Sequence, residues 1–470
     1  MKKAIVTAVS SLLYAVITLQ AQQRTYSYGL LLNDSAYDQI PRKPTLLTRS
    51  YNVLPAAYSL KPYCPSIKNQ GNYDTCTGWA IAYAARTIAE AVANNWRGTD
   101  RITREAFSPT FLYSEIKEKE DANCQKGAYI QKAFETLKTK GVVKYRDFSL
   151  LCSPPVSDKL YSKALQYTID DYFSLFSNEE DSYSKKVGTT KKSIAEGRPV
   201  VVAMRCYKSF SKDNEVVWSG ILDHKKRYHA LCVVAYDDNK YGGAFLLMNS
   251  WGTRWGDKGF KWVRYTDYNL YVNYAVEMYV EKKNTLAPTK SEPVDLSGEV
   301  HFVLSTGQEM HPELQTVNNN SYYKMEGSYL SGTRYRLYIS NNEPAYVYVI
   351  GSDLTNSVTK VFPPNNRISA ALVYQSNDIA LPDEKWYIEM DNTKGTDYVC
   401  ILYSHDELPI DDVVREIKAE SGSFFDKVNK VLANKIVPPR VIHYDRSKIN
   451  FSVKNTDKTI VPMIVEIEHQ

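Results

Sequence analysis

At 470 residues the chain is longer than one hydrophobic core usually serves, so two domains are expected. Hydrophobic residues at 43% against 24% charged exclude a disordered chain and a membrane-embedded bundle. A net charge of +5, with Lys and Arg interspersed among Asp and Glu, lacks the basic stripe that nucleic acid requires as a partner.

The chain begins Met1, Lys2, Lys3, followed by an apolar run from Ala4 to Leu19 and then Gln20, Ala21, Gln22. A basic start, a short apolar middle and a small residue near the cut predict a signal peptide over residues 1–21. The run falls short of the ~20 apolar residues that spanning needs. No Cys follows it, which argues against a lipid anchor and for a secreted or periplasmic product, and no later segment is apolar enough to span a bilayer. Residues 22–60 carry little periodicity and read as an extended arm or short leader. From Cys76 to Trp96 the Ala-rich stretch places Trp79, Tyr83, Ile88 and Val92 near one face of a 3.6-residue period, which predicts a buried helix. Ser108 and Pro109 open a second helix through Glu118. Ala128 to Lys140 forms a third, stopped by Gly141.

Strand patterns follow at 199–207, 229–236, 244–249 and 259–265. Helices first and strands second predict an α+β domain over 61–284, its two halves separated by a cleft. Residues 285–296 turn polar with two prolines and read as a linker. Short alternating runs beyond it predict a β-rich domain over 297–470, a small sandwich with one helical segment near 411–436. His301, His311, His405, His443 and His469 lack metal-ligand spacing and read as solvated surface residues. The seven cysteines are odd in number, which suggests a free thiol in an exported chain. Cys206 and Cys232 sit in apolar strands as small buried hydrophobes. Cys64, Cys124 and Cys152 lie in loop contexts where two of them can form a disulfide.

The chemistry concentrates in three places. Gln70-Gly71-Asn72-Tyr73-Asp74-Thr75-Cys76 puts a cysteine at the start of a helix, where unpaired amides and the helix dipole favour a thiolate. Such a thiol needs a base and a donor for the oxyanion, and Gln70 can be the donor. Far downstream His229-Ala230 opens a strand, and the next strand ends in Asn249-Ser250-Trp251-Gly252. Adjacent antiparallel strands can set His and Asn side by side, fixing one imidazole nitrogen while the other faces the cysteine.

The order of Gln, Cys, Gly-Trp, His-Ala and Asn-Ser-Trp-Gly, together with the middle section from Phe107 to Tyr113 and from Cys124 to Gly127, resembles the papain family of cysteine peptidases over roughly residues 55 to 280. The resemblance implies a two-lobed papain-like fold and an endopeptidase acting on peptide or protein, with no cofactor and no metal. It makes Cys76 the nucleophile, His229 general base and then acid, Asn249 the orienter and Gln70 an oxyanion donor beside the Cys76 amide. Trp251 would shield the His-Asn pair, Gly127 would pair its backbone with bound peptide, and Ala230 would help wall the specificity pocket.

Several positions depart from the family pattern. Tyr73 stands where a second cysteine is common, so the family's usual disulfide to the Cys124 region is lost, and Cys124 takes another partner or stays free. The bulky Tyr228 precedes the base. Asp74 replaces a common glycine, and a carboxylate there opposes thiolate formation unless it points to solvent. The long helical propeptide of eukaryotic members is missing. A papain fold that binds peptides without activity, or one that transfers the acyl group to an amine, shares the same residues. The C-terminal region looks like a module of unknown function appended to some bacterial peptidases, with a protein or a glycan as its candidate ligand.

Overall fold

The computed structural model describes residues 26–46, 51, 53–152, 156–218, 220, 227–281, 294–317, 320–353, 357–373 and 377–470. The expected signal peptide and all but the end of the expected linker lie outside the described residues. Residues 294–296 belong instead to the strand Val294–Leu304.

The first half of residues 57–280 is built on the Ala-rich helix. Cys76–Gly78 opens it as α-helix, Trp79–Arg86 continues with π-helical bonding, and Thr87–Ala93 completes it as α-helix. Every side chain from Cys76 to Ala89 is buried, because small alanines let other elements approach on all sides. Gly78 is the extreme case: a Cβ there would meet the Pro109 carbonyl oxygen at 2.1 Å, so only glycine admits the neighbouring helix Pro109–Ile116. Ser108 caps that helix by accepting the Phe111 amide at 3.1 Å, as its sequence predicts. The third helix runs Ile130–Thr139, with Ile130, Ala133, Phe134 and Leu137 buried. Its expected first residues, Ala128–Tyr129, form a short parallel strand with Leu30–Leu31 of the N-terminal arm.

The second half is one eight-stranded sheet. Its order is Asp171–Ser174, Val272–Tyr279, Val200–Cys206, Arg227–Asp237, Ala244–Met248, Phe260–Arg264 and Val217–Trp218, with Ala57–Ser59 also paired to Arg227–Asp237. The helix that begins at Cys76 lies against the central strand Arg227–Asp237, as does the helix Tyr183–Ala195. Covered on both faces, the strand reads as a continuous apolar run instead of an alternation.

From residue 294 onward the described residues form two seven-stranded sheets. In the strand Arg334–Asn341 alternate residues Tyr335, Leu337 and Ile339 turn inward, the period-two pattern of a half-buried strand. They share one apolar core with Val347, Val349, Ile401, Val461 and Met463 of the other sheet. The expected single helical segment is two helices, Ile410–Ala419 and Phe424–Leu432. Ser423 breaks the run by capping the second one through the Asp426 amide. Both helices cover the second sheet, packing Val413, Ile417, Phe424 and Val428 on Tyr348, Cys400 and Ile464. His469 is not a surface histidine: it is 3% exposed, its Nδ1 lies 3.2 Å from Asp397 and its Nε2 3.1 Å from the Ser331 hydroxyl.

The arm links the two halves of the molecule. Tyr37 is buried, donates to the Phe176 carbonyl at 2.7 Å and stacks on Tyr274 with ring centroids 4.0 Å apart. Further on, the Ser174 amide donates to the Pro41 carbonyl and the Lys43 amide to the Ser174 carbonyl. On the opposite edge the Arg42 amide donates to the Arg367 carbonyl at 2.7 Å, and the Ser369 amide returns to the Arg42 carbonyl at 2.8 Å. The arm is thus a strand-like strip between the domains, and Leu46 ends it inside the C-terminal core.

Cys124 and Cys152 form a disulfide, while Cys64, Cys76, Cys206, Cys232 and Cys400 are buried free thiols. The bridge ties two loops separated by 28 residues. Loop-closure entropy gives such a bridge about 3.6 kcal/mol. Cys152→Ser is therefore expected to lower the unfolding free energy by about that amount in a urea titration. An unchanged midpoint would mean that the cross-link adds nothing to stability.

Candidate active site

Cys76 is the first residue of its helix and has no solvent exposure. Its sulfur lies within hydrogen-bonding reach of the Ala230 amide, the Thr77 amide and the Thr77 hydroxyl. These donors favour a thiolate, but burial outweighs them and, with the Asp74 carboxylate nearby, pushes the thiol up to about 12. In this arrangement Cys76 is neutral.

His229 lies opposite Met204 in the antiparallel pairing of Arg227–Asp237 with Val200–Cys206, directly before the Ala230 whose amide faces the sulfur. Its Nε2 is 2.8 Å from the Asn249 Oδ1, which also accepts the Ser250 amide at 2.7 Å. Because that oxygen can only accept, Nε2 carries the proton and Nδ1 keeps its lone pair. Nδ1 is buried and has no hydrogen-bond partner among the described residues. Trp251 stacks on the ring with centroids 4.4 Å apart. Burial lowers the His229 pKa to about 4 against the opposing pull of Asn249.

Gln70 is pinned from both ends of its amide. Oε1 accepts the Ser250 hydroxyl at 2.6 Å, and Nε2 donates to the Tyr73 carbonyl at 2.8 Å while facing the Ser27 and Tyr28 carbonyls at 3.3 and 3.4 Å. Gly127 has φ +78° and donates its amide to the Tyr113 hydroxyl at 3.1 Å. A Cβ at Gly127 would meet the Gly29 carbonyl oxygen at 2.3 Å, and the following Ala128 amide donates to that same oxygen at 2.9 Å. The contacts therefore link Gln70 to Ser250, His229 to Asn249 and Trp251, and Cys76 to Ala230, the residue after His229. Among the described residues no group of three or more His, Cys, Asp or Glu is placed to hold a metal ion.

What the sequence does not reveal is that the arm lies in this cleft. Tyr26 stacks on Trp251 at 4.6 Å, and the Ser27 carbonyl accepts the Trp251 Nε1 at 2.9 Å. Tyr28 meets the His229 ring edge-on at 5.4 Å. Asp74 does not point to solvent: it is half-buried and accepts the Tyr28 amide through Oδ1 at 3.2 Å. Gly29, alone between Tyr28 and Leu30, is the one signal that could have marked the segment, since a lone glycine in an extended run signals close backbone approach.

Residues 58–280 match the model of the papain family cysteine proteases, and residues 328–407 match a domain of unknown function, DUF4384. An uncharacterized peptidase C1-like protein of Acanthamoeba polyphaga mimivirus is 26% identical over 216 residues, covering 42% of this chain and 64% of that protein. Vignain of Phaseolus vulgaris is 26% identical over 197 residues, covering 41% of this chain and 49% of its own length. The chain thus spans less than two thirds of each of these relatives. A crystal structure of xylellain, a cysteine protease from Xylella fastidiosa, aligns with 20% identity and a TM-score of 0.44, covering 55% of this chain and 97% of that one.

The buried imidazole has a pH consequence. An unfolded chain binds a proton at His229 below about 6.5, whereas the folded chain does so only near 4, so stability declines as pH falls between these values, by about 3 kcal/mol in all. A ring-proton NMR titration of His229 in the full chain is expected to give a midpoint near 4. A midpoint of about 6.5 would mean that water reaches the ring.

Proposed function

Residues 58–280 belong to the papain family of cysteine proteases, and from that premise we propose that the chain is an exported cysteine endopeptidase working through an acyl-enzyme on Cys76. The observation that carries this reading is the His229–Asn249 pair, with Nδ1 left unprotonated and unbonded one residue from the amide that faces the sulfur.

In the proposed cycle His229 Nδ1 takes the thiol proton as the Cys76 sulfur attacks the scissile carbonyl carbon. The developing oxyanion is received by the Cys76 amide and Gln70 Nε2, whose amide group is held in place by Ser250 and Tyr73. Collapse of this intermediate breaks the C–N bond, and His229 gives its proton to the departing amine. Water then attacks the thioester with His229 again as base, releasing the acid and restoring the thiol. Asn249 keeps the ring in one tautomer throughout, and Trp251 keeps water off that hydrogen bond. Gly127 and Ala128 offer backbone groups to an extended peptide, a role supported by the way Ala128 binds the Gly29 carbonyl.

Export is supported by the basic and apolar start of the chain and by the Cys124–Cys152 disulfide, which suits an oxidising compartment. No described helix is long and apolar enough to cross a membrane.

Cys76→Ala is expected to remove hydrolysis of unstructured peptides by the full chain, a loss of about 10⁴-fold or more, together with labelling by thiol-directed epoxides. Hydrolysis that survives the substitution would overturn the assignment. Chromatography of products formed with added amine should show the free acid; a dominant amide product would make the enzyme a transferase.

A further inference from the structure

Cations that are dispersed along the chain are gathered by the fold onto one surface beside the cleft. The stretches 61–68, 96–105 and 144–146 hold seven Lys and Arg against two carboxylates, Asp100 and Glu105. That excess equals the net charge of +5 of the whole chain, so the remainder of the molecule is balanced. The three stretches lie together. The Ser66 amide donates to the Thr103 hydroxyl at 2.8 Å, the Arg97 guanidinium lies 4.3 Å from the Tyr63 ring centroid, and Arg146 donates to the Arg104 carbonyl at 3.3 Å. Lys68 joins them through Tyr145, its Nζ 5.1 Å from the ring centroid.

Two features separate this surface from an ordinary solvated face. Its cations are unspent: among the described residues Lys61, Lys68, Arg97, Arg101 and Arg104 have no carboxylate within ion-pair distance, while Glu105 is taken up by Arg146 at 2.7 Å and Lys144 at 3.7 Å. Elsewhere in the same half Lys138, Lys163 and Lys191 each hold a carboxylate within 2.9 Å. Arg97, Arg101 and Arg104 are exposed, and cation–π contact with Tyr63 and Trp96 positions the first two without consuming their N–H groups. The surface is also continuous with the cleft. The Lys68 carbonyl accepts the Gly252 amide at 3.1 Å, and Asn69 bridges to Trp251, whose ring lies on His229.

We propose that this surface is an exosite that holds an acidic segment of the polypeptide substrate while a neighbouring peptide bond lies at Cys76. Carboxylates complement the unspent cations, and continuity with Trp251 makes the occupant part of the substrate instead of a separate ligand. The proposal deepens the peptidase reading above and rests on it for the link to turnover. Recognition of the acidic segment does not depend on catalysis. Contacts made equally before and during reaction lower KM and leave kcat alone, so the arginines are positioning residues.

The binding test uses the full chain carrying Cys76→Ala and reads the anisotropy of fluorescein-labelled hexaglutamate. Hexaglutamate is expected to bind at least about tenfold more tightly than hexaglutamine, and the combined Arg97→Glu, Arg101→Glu and Arg104→Glu variant to lose that preference. Lysine at the same three positions keeps the charges and should stay within about threefold of the parent. Raising NaCl from about 50 to about 500 mM shortens the Debye length to about 4 Å and is expected to weaken binding about tenfold. Should the Glu variant fail to fold, Arg101→Gln with Arg104→Gln is expected to weaken binding about threefold or more. Hexaglutamate bound no better than hexaglutamine, or bound equally by the charge-altered variants, overturns the proposal.

Turnover by the chain with Cys76 intact separates the exosite from the peptidase reading. Two peptides share one cleavable core and differ only in a Glu or a Gln tail. The Glu tail is expected to lower KM about tenfold with kcat unchanged. The combined Glu variant removes that gain while cleaving the Gln-tailed peptide within about twofold of wild type. Binding of hexaglutamate with no change in KM overturns the substrate role and leaves a general polyanion surface, which heparin would occupy as readily. Arginine-dependent binding in a chain that cleaves neither peptide removes the peptidase reading and leaves the acidic-segment site; equal cleavage of both peptides with no binding does the reverse.

Discussion

Water reaches neither Cys76 nor His229, and that exclusion decides what the site can do. A thiol and an imidazole in bulk water exchange a proton at little cost, but once buried each is held in its neutral form, the thiol pushed up to about 12 and the imidazole down to about 4. The Ala230 and Thr77 amides and the helix start work in the opposite direction and lose to burial. Reactivity is therefore stored in the arrangement and blocked by the covering. The proposed proton transfer and the buried arrangement make opposite demands on the same two groups.

The arm also shapes the rest of the molecule. Its first residues fill the cleft, Tyr37 anchors it on Tyr274 and Phe176, and Pro41–Lys43 runs between Ser174 of the peptidase half and residues 367–369 of the C-terminal half. Lys43 is buried there against Glu277, with Arg198 3.7 Å from the same carboxylate. Burial drives the lysine pKa well below its ordinary value while the paired Glu277 draws it back up. A buried pair of this kind adds little net stability over apolar packing, but it penalises any arrangement that leaves one partner alone. It therefore specifies the register of the arm in the interface more than it strengthens the interface.

Much of this was readable from residues. Alanine spacing after Cys76, the Ser-Pro start of the next helix and the apolar strands around His229 and Asn249 each follow from local physics, and the motif order joins them into one site. The departures have non-local causes. Residues 26–46 show no periodicity because their partners are Trp251, Ser174, Ile368 and Ile379, all far along the chain. The pairing of Cys124 with Cys152 instead of Cys64 depends on how the 121–127 loop folds back, with Asp121 accepting the Gln125 amide and the Tyr113 hydroxyl. His469, whose spacing from the other histidines suits no metal and reads as a surface position, lies buried beside Asp397 and Ser331, partners far from it in the sequence.

The two apolar cores of the C-terminal half take up several of its tyrosines. Tyr323, Tyr335 and Tyr403 are spent inside the core between its sheets, and Tyr348 lies under the helices. Tyr346 and Tyr279 pack beside Phe173, Ala371 and Val373 in the seam with the peptidase half. Aromatic side chains used this way give large buried area and fixed orientation to a domain whose inner surface must also hold Leu46 of the arm. The same strip of chain that closes the cleft at one end is thus part of the folded interior of the second domain at the other, and its path between them is fixed by backbone hydrogen bonds to both.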